Sequence, residues 1–160
     1  EIMPSLVGSE MCIRDRSLDG VDVAATTPLE VVALQSDALF RFDQADMQGI
    51  LPGGLNAIAA IAFKARGHGS NVASLDVVGH TDRLGPALYN ASLSLRRAQT
   101  VAILLKKAGI ELPITSRGAG SVEPVTGEKC RAARGNAALV SCLQPDRRVV
   151  VRILPVLQSN

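Results

Sequence analysis

At 160 residues the chain is long enough for one ordinary domain with some tail. Its net charge is only +2, aromatics make up 2% and tryptophan is absent, which excludes the basic, ring-bearing face of a nucleic-acid binder. Hydrophobic residues make up 47%, enough for an aliphatic, alanine-rich core, yet no apolar run reaches the roughly 18 to 20 residues that a spanning helix needs.

The first 16 residues, EIMPSLVGSEMCIRDR, lack the charged start, continuous apolar stretch and small-residue cleavage site of a signal peptide. They resemble the translated read-through of a sequencing adapter, and 1–16 is read as a non-native tail. The natural start and its targeting signal are then expected to be missing. Residues 17–28, small and polar, read as a linker.

The domain itself is expected over 29–156. LEVVALQSDALFRF (29–42) is rich in β-formers, with Phe40 and Phe42 alternating around Arg41, and reads as the first strand. Asp43 follows at its end. LNAIAAIAFKARG (55–67) reads as a helix whose Leu55, Ile58, Ala59 and Ala62 recur at helical spacing, ended by Gly67.

LDVVG (75–79) reads as a short buried strand. Gly85-Pro86 marks a helix entry, and the helix is expected to run to Lys107 or Ala108. Its inward stripe is Ala98, Val101, Ala102, Leu105 and Ala108, with Gly109 closing it. ITSRGAG (114–120) and RRVVVRIL (147–154) read as the last two strands. In the latter, Arg147, Val149, Val151 and Ile153 share one face. Residues 157–160 are left as a C-terminal tail. The order βαβαββ predicts an α+β two-layer sandwich, a mixed four-stranded sheet with helices on one face.

Cys130 and Cys142 enclose a polar loop, CRAARGNAALVSC, whereas Cys12 lies in the tail. The pair reads either as two unrelated small core residues or as a disulfide. Zinc is disfavoured, because paired C-x-x-C spacing and histidine partners are lacking. The disulfide is preferred; closing so short a loop stabilises by roughly 3 kcal/mol in the chain-entropy model, and it implies an oxidising compartment.

Asp82, just past a strand, reads on its own as a turn-former or helix-start carboxylate. Arg97 changes that reading. In a helix continuous from Pro86, Asn90, Leu93 and Arg97 share one stripe; in a helix restarting with Ser94 as cap, Arg97 lies in the first turn. Both geometries aim Arg97 toward Asp82, while Arg96 reads as a surface residue. Arg97 can take a carboxylate bidentately, and Asp82 can accept from an ammonium group. The pair therefore reads as a clamp for a zwitterion or as an internal salt bridge. His80, two residues before Asp82, would face the same side of a strand and invites a metal or hydrolytic reading. It has no third ligand at suitable spacing, so no metal and no catalytic residue is assigned. Tyr89 reads as a packing residue.

Gly79-His80-Thr81-Asp82, Gly85, Tyr89-Asn90, Leu93-Ser94, Arg97-Ala98 and Val101 together resemble the signature of the OmpA-like C-terminal domain, the peptidoglycan-binding module of Gram-negative outer-membrane proteins. LQSDALFRFDQA (34–45) is similar to that family's first strand and following loop. Residues 124–151 are similar to the end of its domain, cysteine pair included. The likeness covers about residues 29–154. It implies a periplasmic domain that grips the diaminopimelate of the peptidoglycan stem peptide without enzymatic activity or cofactor. In that reading Asp82 holds the ligand's amine and Arg97 its carboxylate. Asp43, Thr81, Asn90 and Leu93 match pocket-lining positions, and one arginine of the Asp146-Arg147-Arg148-Val149 run helps, with Arg147 preferred.

The chain departs from the family pattern at its start, where the upstream β-barrel is absent and the 17–28 arm is poor in proline. Attachment to the outer membrane is expected through a missing N-terminal region, a barrel or a lipid anchor. Two rival readings remain: a wall hydrolase using His80 and Asp82, and a protein–protein module gripping a partner's C-terminal carboxylate.

Overall fold

A computed structural model describes residues 27–157 of the chain. The adapter-like tail, Cys12, nearly all of the linker and residues 158–160 lie outside the described residues.

Strand β1 spans Glu30–Gln35 and stops well short of Phe42. A single helical turn, α1 (Ser36–Leu39), follows, closed by the Phe40 N–H donating to the Ser36 carbonyl at 2.8 Å. Ser36 N makes the last rung to the neighbouring strand by donating to the Arg147 carbonyl at 2.9 Å, and the chain turns there. The consequence corrects the expected alternation: Phe40 is 2% exposed and Phe42 is 97% exposed.

Helix α2 spans Pro52–Gly67, with Pro52 in its first turn. It starts three residues before the expected Leu55, and its buried stripe is Gly54, Ile58, Ile61, Ala62 and Ala65. Leu55 and Ala59, expected inside, are exposed. Gly54 explains the rotation, since a Cβ there would lie 3.0 Å from the Leu39 carbonyl, so this face sits directly against α1.

Strand β2 runs from Val72 to His80, longer at both ends than the apolar LDVVG core. Helix α3 is unbroken over Ala87–Lys107, which selects the continuous helix over a restart at Ser94. Gly109, at φ 91°, then turns the chain as expected of a residue without a Cβ. Strand β3 is Ile114–Gly120, as read. Within the cysteine loop lies a two-turn helix, α4 (Asn136–Cys142), which polarity alone concealed. The Cys130–Cys142 disulfide closes that loop, with the two Cα atoms 5.7 Å apart.

Strand β4 (Arg148–Pro155) completes a mixed sheet of order β1-β4-β2-β3. It is antiparallel to both β1 and β2, while β2 and β3 are parallel. The last strand in sequence is thus central, and its Val149-Val150-Val151 run is buried throughout. Helices α2 and α3 cover one face. Ile61 and Ala62 from α2, Val101 and Leu105 from α3, and Val77 and Val151 from the sheet share one aliphatic core. This is the expected α+β two-layer arrangement. No helix among the described residues is long and apolar enough to cross a membrane.

Two glycines set how closely α3 lies on the sheet. A Cβ at Gly79 would come within 2.0 Å of the Ser94 carbonyl, and one at Gly118 within 2.5 Å of the Leu95 nitrogen. Gly79 and Gly118 are register partners across β2 and β3, so the contact is one flat saddle. Ser94 Oγ seals it by accepting from Gly120 N at 2.9 Å and donating to the Ala91 carbonyl at 2.9 Å.

Candidate functional site

Three chain segments meet at one end of the sheet. Gln35 and His80 both pair with Arg148, so the end of β1, the end of β2 and the start of β4 are level. Asp37 follows the first, Asp82 the second, and Arg147 precedes the third. The saddle contact brings the early turns of α3 over the same place. The result is a cavity of about 480 Å³.

Asp82, Arg97, Asp43, Thr81, Asn90, Leu93 and Arg147, the seven residues singled out from the sequence, all line it. Arg97 is 5% exposed. Its Nε donates to the Gln44 carbonyl at 3.0 Å and its guanidinium lies 5.5 Å from the centroid of the Phe40 ring. Burial lowers its pKa from the ordinary arginine value, opposed by Asp37, Asp43 and Tyr89, and it stays protonated. Among the described residues it forms no salt bridge.

Asp82 does not pair with Arg97. Its Oδ1 accepts from Leu84 N at 2.9 Å and its Oδ2 from Arg147 Nη1 at 2.9 Å. The internal salt bridge weighed for the two residues is therefore not made, but neither is the aspartate left alone. The reason is positional: Arg147 enters β4 beside the end of β2, nearer in register than the helix. Each carboxylate oxygen can take a second hydrogen bond, so Asp82 retains acceptor capacity.

The other lining residues shape the loops. Asn90 Nδ2 donates to the Asp82 and Leu84 carbonyls at 3.3 and 3.0 Å, pinning the turn after β2. Thr81 is 5% exposed and its Oγ1 has no hydrogen-bond partner among the described residues. Asp43 adopts φ 57°, a left-handed conformation that aspartate tolerates better than most residues. It accepts a hydrogen bond from the Tyr89 hydroxyl. Tyr89, read as a packing residue, is 41% exposed on the cavity wall.

Asp37, Phe42, Leu84 and Val140 line the cavity without having been singled out. Asp37 and Arg147 are 110 residues apart, and nothing local in the sequence links them. Val140 arrives on the concealed helix α4. Of the two arginines entering β4, Arg147 lines the cavity while Arg148 donates to the Glu123 carbonyl at 3.0 Å.

Strand β2 ends at His80, so strand alternation does not extend to Asp82. His80 is 2% exposed, with its Nδ1 3.9 Å from Glu123. It is not among the residues lining the cavity. Burial, reinforced by Arg148, pushes its pKa down to about 4. Among the described residues no group of three or more His, Cys, Asp or Glu is arranged to hold a metal ion.

A mixed sheet roofed by two helices, with carboxylates and guanidiniums facing one another in a cavity at its end, defines an α+β module built around a charge-paired pocket. A profile of the OmpA family matches residues 39–138, and the chain belongs to that family. Outer membrane protein A of Klebsiella aerogenes is 39% identical over 121 residues, covering 75% of this chain and 34% of that protein. The chain thus spans about a third of the length of that relative. Among solved structures, the OmpA-like domain of FopA1 from Francisella tularensis is similar at TM-score 0.53 and 25% identity, over 81% of this chain and 75% of that one. The cell wall anchor of the T6SS from Pseudomonas aeruginosa shares the fold at TM-score 0.59 and 23% identity, over 88% and 94% of the two chains.

Proposed function

We propose that this chain is the periplasmic domain of an outer-membrane protein and binds peptidoglycan non-covalently, tethering the outer membrane to the cell wall. The ligand is the diaminopimelate of the stem peptide, whose ammonium and carboxylate share one carbon. Family membership supports the wall-binding role. The carrying observation is Arg97, a nearly buried cation without an ionic partner among the described residues, lining the same cavity as Asp82.

Arg97 takes the ligand carboxylate in the fork geometry that strengthens such contacts, and Asp82 accepts from the ammonium. Thr81 Oγ1 supplies a further polar contact, Asn90 fixes the Asp82 turn, and Leu93 forms part of the apolar wall. Asp43 adds negative charge on the ammonium side, and Arg147 orients Asp82. Binding needs no bond breaking and no cofactor. Modest affinity at one site suffices, because many copies face one polymeric wall.

The test is co-sedimentation with protein-free sacculi containing diaminopimelate. The parent chain pellets with them. Asp82→Ala and Arg97→Ala each remove a charge-assisted contact of about 1.5–3 kcal/mol, which weakens binding by roughly 10- to 100-fold, while both variants keep the parent's circular dichroism spectrum. Unchanged sedimentation of both variants refutes the clamp. Failure of the parent to pellet without added protein favours a protein partner, and release of soluble muropeptides favours hydrolysis.

A further inference from the structure

We propose that Asp37 is a positioning residue that makes the cavity selective for a ligand carrying a free ammonium, by engaging Arg147 so that Asp82 keeps its negative charge for that group. The inference rests on the zwitterion-binding reading above.

Arg147 sits between two carboxylates and does not divide itself equally. Its Nε lies 3.2 Å from both oxygens of Asp37 and its Nη2 donates to Asp37 Oδ2 at 2.8 Å. Asp82 receives only Nη1, at 2.9 Å, and that nitrogen is shared with the Val140 carbonyl at 3.0 Å. The side-by-side fork, the stronger form of guanidinium–carboxylate pairing, thus belongs to Asp37. The pKa of Arg147 is raised above the ordinary value with the Asp37 hydrogen bond as the largest cause, against burial and ahead of Asp82.

The charge balance gives this a consequence. Three carboxylates (Asp37, Asp43, Asp82) and two guanidiniums (Arg97, Arg147) line the cavity, leaving one excess negative charge. Arg97 is committed to the ligand's carboxylate. If Arg147 answered to Asp82 alone, its fork would close on that residue and cancel the acidic prong of the clamp. Asp37 prevents this while leaving Arg147 near enough to orient Asp82. The interruption of β1 by α1 places Asp37 beside Arg147, and its side chain is 45% exposed, so its charge can be removed without opening the core.

The experiment uses the 160-residue chain and two probes: a muramyl tripeptide with a free diaminopimelate amine, and the same compound with that amine acetylated. Isothermal titration gives both affinities. Asp37→Asn weakens binding of the free-amine probe by about tenfold, the lower end of what one nearby charge does to an ionisable partner. Binding of the acetylated probe stays within about twofold of the parent, so the preference between probes collapses. Asp37→Glu, which restores the charge, recovers most of it. A merely structural role would weaken both probes together. Equal loss for both probes, or no loss for either, overturns the assignment. If that occurs while Asp82→Ala and Arg97→Ala still weaken binding by roughly 10- to 100-fold, the zwitterion reading stands and only the role of Asp37 falls. If the latter two bind like the parent, both fall.

Discussion

Asp146 is 1% exposed and carries a load unrelated to any ligand. Its Oδ1 accepts from Val125 N and Thr126 N at 2.8 and 2.9 Å, and its Oδ2 from Thr126 Oγ1 at 2.6 Å. Burial by itself raises its pKa, but these donors and Arg148 outweigh it and hold the carboxyl below the ordinary aspartate value. Asp146→Asn removes the charge that the two backbone N–H groups face and makes the Thr126 hydroxyl rotate to accept from the new amide, and is expected to destabilise by about 1–3 kcal/mol in urea denaturation at neutral pH. Asp82 and Arg97, which line one cavity, declare themselves in the chain by residue type and their places after a strand and on a helix stripe. Asp37 did not, because its partner is distant in sequence and only the packing of β4 between β1 and β2 joins them. The Asp82–Arg147 contact escaped for the same reason.

Among the elements, the close seating of α3 on the sheet governs the site. Gly79→Ala must displace Ser94 backbone, not a flexible side-chain end, so the helix has to lift. Overpacking of this kind costs about 1–3 kcal/mol or more. Because Asn90, Leu93 and Arg97 ride on the same helix, ligand affinity is expected to fall along with the urea midpoint. Gly67→Ala, where an added Cβ meets nothing within 4 Å, serves as the neutral control. Helix α3 and strand β3 were legible because their periodicity and flanking glycines agree. Strand β1 was misread because β-formers continue past Gln35, whereas a four-residue turn leaves too short a pattern to recognise. In α2 a run of alanines permits several inward stripes, and Gly54 against Leu39 selects one.

For the whole molecule, acid stability is set partly by His80. Its folded pKa of about 4 lies below its ordinary 6.5, so between those values the unfolded chain binds the proton more readily. Stability associated with neutral His80 is therefore complete above pH 6.5 and is lost as pH falls toward 4, by up to roughly 3 kcal/mol in total. Asp146 acts in a lower window, below the ordinary aspartate value. Urea midpoints measured across pH 4–7 should fall with acid in the parent and lie flatter in His80→Phe; parallel curves would refute the assignment. Reduction of Cys130–Cys142 is expected to lower stability by about 3 kcal/mol and to weaken ligand binding too, since Val140 within the bridged loop offers its carbonyl to Arg147. Titration with and without reductant measures both effects. The two-layer architecture was legible because the strand and helix periods alternate cleanly, although the central place of β4 rests on pairing that no local pattern encodes.

The antiparallel β1–β4 pair starts at Glu30 opposite Ile153 and reaches the cavity end at Gln35 opposite Arg148. A tether attached ahead of Glu30 and a wall fragment seized beside Asp82 would pull from opposite ends of that ladder. Tension then runs lengthwise along the strands, and the rungs resist in shear as a group, not peeling apart singly. Under the wall-binding role proposed above, that is the direction in which the sheet bears load best.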